Sequence, residues 1–166
     1  MAEIPDICVG GAFRIDPDGT WYHDGAPIAR TELVKLFARV LTRDAAGRYW
    51  LQTPAEKVPV EVLDAPFVAV ELAVEGAGTG QRLSLRTNVD HWVELGAAHP
   101  LIVRSGPRGP RPYVALGNAM EALVARPVYY ALAELAVEGA DGGSSPGVWS
   151  GGVFHRLAPE RQGGSP

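Results

Sequence analysis

Between residues 31 and 42 the apolar side chains Leu33, Leu36, Phe37, Val40 and Leu41 return with the helical period, which predicts an amphipathic helix from Thr31 to about Thr42. Just upstream, FRIDPDGTWY sets apolar or aromatic runs on both sides of Asp16-Pro17-Asp18-Gly19, the pattern of strand, turn and strand. Downstream, the break from Asp44 to Gly47 leads into RYWLQT, a short strand centred on Trp50. Further strands are expected at KVPVEV, FVAVELAVE, QRLSLRT and PLIVR. Alternation of Val68, Val70, Leu72 and Val74 suggests one buried and one wetter face, the habit of antiparallel sheet. PYVAL, a turn at Gly117-Asn118 and AMEALV then precede a second helix opening at Pro127, with Val128, Leu132 and Leu135 on one stripe and Gly139 past its end. A loop rich in Gly and Ser leads to GVWSGGVFHRL, read as a strand containing Trp149.

The second half thus repeats the order of the first. Arg30, in IART, and Arg126, in VARP, lie 96 positions apart, and Trp50 and Trp149 lie 99 apart. The near-constant offset indicates a diverged internal duplication. The expected fold is α+β, a tandem duplication of a hairpin-helix-strand unit with largely antiparallel sheets and a helix covering sheet in each half. The expected domains are 13–78 and 79–157, with tails at 1–12 and 158–166.

Composition narrows the function. In 166 residues, 46% are hydrophobic and 20% charged, the proportions of a globular chain able to bury roughly 70% of its unfolded surface. A net charge of -4 supplies no basic field for nucleic acid, so that partner is not expected. The one cysteine, Cys8, excludes an internal disulfide and suits a reducing cytoplasm. MAEIPDICVGGAF lacks a basic segment followed by a long apolar one, and APFVAVELAV is interrupted by Glu71; neither a signal peptide nor a membrane span is expected.

Most chemical motifs dissolve on inspection. Asp16-x-Asp18-Gly19 has its glycine too early for a calcium loop and reads as a hairpin turn. Gly76-Ala77-Gly78-Thr79-Gly80 joins two strands with no helix after it, unlike a phosphate-binding loop. GVWSGG puts Val148 where a nucleophile elbow needs glycine, and no helix follows Ser150. His23, His91, His99 and His155 show no metal-site spacing. RSGPRGPR reads as a solvated loop. Lys57, Arg86 and Asn88, near strand ends, are candidates to converge on a cleft. Aromatics near a cation at a helix start, namely Tyr129 and Tyr130 beside Arg126, with Trp149-Ser150 following, form the strongest functional hint in the residues themselves.

FRIDPDGTWYHDGAPIAR, LVKLFARVL, YWLQTPAEK, DAPFVAVE, RTNV, PYVAL, RPVYYALAEL and GVWSGGVF together resemble the bacterial family called domain of unknown function 1285, over roughly residues 13–157. The resemblance implies a duplicated α+β core, a second domain superficially similar to pleckstrin-homology folds, and a nucleotide-like ligand bound at the domain interface in signalling. Carried over by motif, TPAEK marks Glu56 and Lys57, RTN marks Arg86 and Asn88, the second helix marks Arg126, Tyr129 and Tyr130, and GVWSGG adds Trp149 and Ser150. Leu116 stands where relatives are expected to carry a polar or basic residue, which bears on specificity.

The leading expectation is therefore a non-enzymatic, cofactor-free sensor that binds an anionic, nucleotide-like molecule and signals to a protein partner. Arg126 and Lys57 would supply charge, Tyr129 or Trp149 a stacking surface, and Asn88 or Ser150 hydrogen bonds. The alternative is an interaction scaffold that engages another protein through a sheet face or edge. A third, an enzyme on a phosphorylated or nucleotide substrate using Glu56 or Glu71 as base, lacks a nucleophile, a metal set or an acid/base pair.

Overall fold

The alternating stretches form fourteen strands and the two periodic stretches form helices in the computed structural model, which describes residues 12–139 and 145–159. Cys8 and most of the two expected tails lie outside the described residues. The chain divides into two compact units: one runs to Pro66 and includes Asn118–Met120, and the other holds Phe67–Gly117 and the chain from Glu121 on. The expected division lies between 78 and 79; the boundary after Pro66 keeps FVAVELAVE and QRLSLRT, which pair as a hairpin, in one unit.

In the first unit, β1 (Phe13–Ile15), β2 (Trp21–His23) and β3 (Ala26–Pro27) form one meander, and β4 (Leu41–Arg43), β5 (Tyr49–Gln52) and β6 (Lys57–Val62) form another. The two join where β1 pairs in parallel with β6, giving the order β3-β2-β1-β6-β5-β4. Between the meanders runs α1 (Thr31–Arg39). Its buried Phe37 meets Phe13 edge-on at 5.2 Å and stacks on Trp21 at 6.1 Å, so one helical ring anchors the apolar side of the hairpin. The helix stops short of the predicted Thr42. Val40 N–H bonds back to Phe37 O at 3.1 Å in a tightened last turn, and Leu41 leaves the helix to pair across from Leu51, both buried. Their apolar character serves the sheet, which is why the helical period overshoots.

The second unit repeats the sheet rule. One meander is β7 (Phe67–Glu75), β8 (Arg82–Thr87) and β9 (Trp92–Glu94); the other is β10 (Leu101–Gly106), β11 (Gly109–Gly117) and β12 (Met120–Val124). Again the first strand pairs in parallel with the last, β7 with β12, in the order β10-β11-β12-β7-β8-β9. After β12 come α2 (Arg126–Glu134) and a separate hairpin, β13 (Gly147–Ser150) with β14 (Val153–Arg156). A hairpin, helix, hairpin order, β1-β2 then α1 then β5-β6 with β3 and β4 flanking the helix, also recurs as β11-β12, α2 and β13-β14; two such halves are consistent with a tandem duplication. Among the described residues the fold is mostly β with two helices, and each six-stranded sheet is mixed through its single parallel pairing.

Four local expectations are corrected. GVWSGGVFHRL is two strands, because Gly151 and Gly152 take φ of 60° and 76° and turn the chain back on itself. RSGPRGPR is the tip of the β10–β11 hairpin, with Arg104 bonded to both oxygens of Glu121 at 3.0 and 2.6 Å. The alternation in β7 breaks at a bulge between Ala69 and Glu71, leaving Val70 and Val74 exposed while Val68 is buried. Finally, α2 ends at Glu134, well before Gly139, because Val137 exchanges two backbone hydrogen bonds with Gly147.

Candidate functional site

The start of α2 is fixed by sheet. Ala125, last residue before the helix, donates its N–H to Ala69 O on β7 at 3.0 Å, and its carbonyl accepts from Tyr129 N–H at 2.9 Å. Pro127, in the first turn, suits a position where an N–H has no helical acceptor. No side chain caps this end and no acidic residue lies in the first turn, so the positive end of the helix dipole is uncompensated by the helix itself. Arg126 is exposed, and its guanidinium has no ion pair or hydrogen bond with the described residues. Tyr130, four residues on and therefore on the same helix face, is 58% exposed. Tyr129 differs: half-buried, it donates its hydroxyl to Leu157 O, and burial raises its pKa. Its ring centroid is 6.5 Å from that of Tyr130.

The β13–β14 hairpin is held to the sheet by polar groups, among them Ser150, a residue expected from sequence to bind ligand. Ser150, fully buried, accepts Leu83 N–H at 2.8 Å and donates to Leu95 O at 2.7 Å. Gln81 donates to Trp149 O at 2.9 Å, while the Trp149 ring meets Phe154 edge-on at 5.4 Å. Buried His155 completes the attachment: Leu101 N–H donates to its Nδ1 at 3.4 Å, so the ring proton lies on Nε2, which faces Ser150 O at 3.3 Å. Burial pushes the His155 pKa below its ordinary value, outweighing the opposing bond to Ser150.

Arg86 and Asn88 are engaged as well. Arg86 donates Nε to Glu71 and Nη1 to Asp90, each at 2.8 Å, with the Glu71 bond the main cause of a raised guanidinium pKa. Asn88 exchanges two bonds with Val68: its N–H donates to Val68 O at 2.8 Å, and its Oδ1 accepts Val68 N–H at 3.1 Å. In the first unit, Glu56 closes the exposed β5–β6 turn, donating its N–H to Thr53 Oγ1 at 3.0 Å. Lys57 places its ammonium 4.6 Å from the centroid of the Trp50 ring. Trp50 Nε1–H in turn donates to Asp44 at 2.9 Å, which, followed by the Arg48 backbone N–H, holds that carboxyl below its usual pKa. Leu116 is half-buried on β11.

Two family models tile the chain: the N-terminal domain of DUF1285, a domain of unknown function, matches residues 4–65, and the C-terminal domain of the same family matches 66–157. The chain belongs to the DUF1285 family. A DUF1285 family protein from Silicibacter pomeroyi DSS-3, solved as a crystal structure, is similar at 39% identity and a TM-score of 0.82, over 90% of this chain and 81% of that one. A second, from Shewanella baltica OS155, shows 26% identity and a TM-score of 0.58 over 75% of this chain and 91% of its own. Among curated proteins none matches the chain.

Within this DUF1285 fold, the described residues contain no group of His, Cys, Asp and Glu arranged to hold a metal ion. Asp16 bonds Arg14 at 2.9 Å and Asp18 accepts Thr20 N–H at 3.0 Å, as expected of a turn. No helix among the described residues is long and apolar enough to cross a membrane. Gln81, His155 and Trp50 were not among the candidate site residues. Gln81 and His155 are engaged by Trp149 and Leu101, 68 and 54 positions away, which no local pattern signals, whereas the proximity of Trp50 to Lys57 follows from their hairpin.

Proposed function

We propose that this DUF1285 protein is a non-enzymatic sensor that binds an anionic, nucleotide-like small molecule at the start of α2 and reports its occupancy to a protein partner. One observation carries the reading: the exposed Arg126 guanidinium stands without a described partner at a helix end that has neither a capping side chain nor an acid in its first turn. Arg82, Arg86 and Arg104, by contrast, are bonded to carboxylates. A phosphate takes a guanidinium through two parallel hydrogen bonds and gains from the positive end of the helix. Tyr130 then offers an exposed ring on which a base stacks.

This narrows the ligand contacts to Arg126 and Tyr130, since the Tyr129 hydroxyl, Ser150, Asn88 and Arg86 are taken up in holding the fold. The same proposal places the protein in the cytoplasm, where a lone Cys8 needs no disulfide partner. It also takes the second unit as superficially pleckstrin-homology-like, a mainly antiparallel sheet accompanied by one helix.

Calorimetric titration tests the residue assignment. Arg126→Ala is expected to weaken a nucleotide that binds the wild type by at least about tenfold, and Tyr130→Ala to weaken that nucleotide while sparing inorganic phosphate. Unchanged nucleotide affinity in a folded Arg126→Ala variant removes this end of α2 from the site.

A further inference from the structure

We propose that the exposed face of β7, β8 and β9 is a docking surface for a basic, arginine- or lysine-rich segment of a partner protein. The register builds this face directly. Glu71 lies opposite Arg86 and Arg86 opposite Trp92; Ala73 lies opposite Ser84 and Ser84 opposite Glu94; Glu75 lies opposite Arg82. Because side chains alternate along a strand, these residues share one side of the sheet, while Leu83, Leu85 and Val93, all buried, occupy the other. Two small residues, Ala73 and Ser84, therefore form a low centre between rows of longer charged side chains.

Charge selects the occupant. Arg86 is held by Glu71 and Asp90, and Arg82 by Glu94 at 2.6 Å with Glu75 at 3.7 Å. Four carboxylates against two guanidiniums leave the face two negative charges in excess. The arginine cross-links also hold these carboxylates in place, so a partner meets acceptors that have already lost much of their rotamer freedom. Trp92, 44% exposed beside Arg86, adds an apolar ring over which an incoming ammonium or guanidinium can sit. Its strand is the edge of the sheet, so the surface is open on that side. Excess negative charge repels an acidic segment and a nucleic-acid backbone alike. The inference is independent of the anion site at α2, whose charge has the opposite sign.

The test uses the purified full chain and two labelled synthetic peptides, one of alternating Arg and Ala and one of alternating Glu and Ala, with binding read by fluorescence anisotropy. The basic peptide is expected to bind and the acidic one not to bind. Trp92→Ala and the double variant Glu71→Gln/Glu94→Gln should each weaken the basic peptide by about fivefold or more. The double variant Glu134→Gln/Glu138→Gln, which removes equal charge elsewhere, should leave binding unchanged. Because the Glu71 and Glu94 variants break ion pairs, Trp92→Ala serves as the decisive arm if they fail to fold. Equal loss in the face and control variants would reduce the effect to general acidity and overturn the proposal. So would binding of the acidic peptide, or a dimer of the wild-type chain that Trp92→Ala dissolves, which would make the occupant a second copy.

Discussion

Ser150 shows how far a residue's type is from its role. Its hydroxyl pairs with backbone groups of Leu83 and Leu95, so Ser150→Ala leaves both without that partner in a buried place. The cost is expected to be about 1–3 kcal/mol in urea-unfolding stability, with no change in any ligand affinity. His155 contributes a pH dependence. Its neutral ring accepts Leu101 N–H, and its pKa in the fold lies below the usual value near 6.5, which the unfolded chain retains. In acid the unfolded chain therefore binds the proton first, so the stabilisation is present above about pH 6.5 and is lost as pH falls toward the depressed folded value. Urea midpoints at pH 7.5 and 5.5 check this: the wild type should lose more stability on acidification than His155→Gln, and equal losses would contradict the assignment. Sequence alone could mark Ser150 and Asn88 as polar and well placed, but their partners lie in other strands, and only the tertiary register reveals that their hydrogen bonds are used internally. The setting of Arg126, a helix start without an acid, is by contrast a local pattern.

Elements follow the same division between local and distant causes. Both helix starts were readable from Thr31 and from Pro127, while both ends were not, because strand pairing by Leu41 and Val137 takes the chain out of the helix. The long strands β7 and β8 and the second half of β11 were visible as apolar runs, while the Gly/Pro-rich first half of β11 read as loop; β3, β4 and β9, of two or three residues, have too few positions to show a period. The β11–β12 turn carries a further consequence. Asn118 and Ala119 take φ of 53° and 62°, as the two central residues of a type I′ turn do, and asparagine tolerates this better than alanine. Ala119→Gly should therefore stabilise the protein by about 0.5–1 kcal/mol, the relief of left-handed strain less the entropy of glycine. A lower thermal midpoint for this variant would contradict that reading of the turn.

At the scale of the whole molecule, two related halves were legible, but the rule that organises each sheet was not: the sheets repeat from Phe13 to Phe67, 54 positions on, rather than over the 96 and 99 that separate the two arginines and the two tryptophans. Pairing β1 with β6 and β7 with β12 joins segments about 45–55 positions apart, and no local pattern encodes such a choice. The two helix starts supply a natural internal control. Arg30 precedes α1 and Arg126 opens α2, yet α1 carries Glu32 in its first turn and α2 carries no acid there. Charge compensation, not the arginine alone, distinguishes the two ends.

The most direct test of the anion-sensor account is a thermal-shift comparison of wild type, Arg30→Ala and Arg126→Ala against mononucleotides, cyclic nucleotides and inorganic phosphate. A ligand selective for the folded state stabilises it by about 2.7 kcal/mol at a hundredfold excess over its dissociation constant, enough to move the midpoint by several degrees. The account predicts a nucleotide-specific rise that Arg30→Ala keeps and Arg126→Ala loses. No rise with any of these compounds in a folded wild type, or a rise that survives Arg126→Ala, would contradict it.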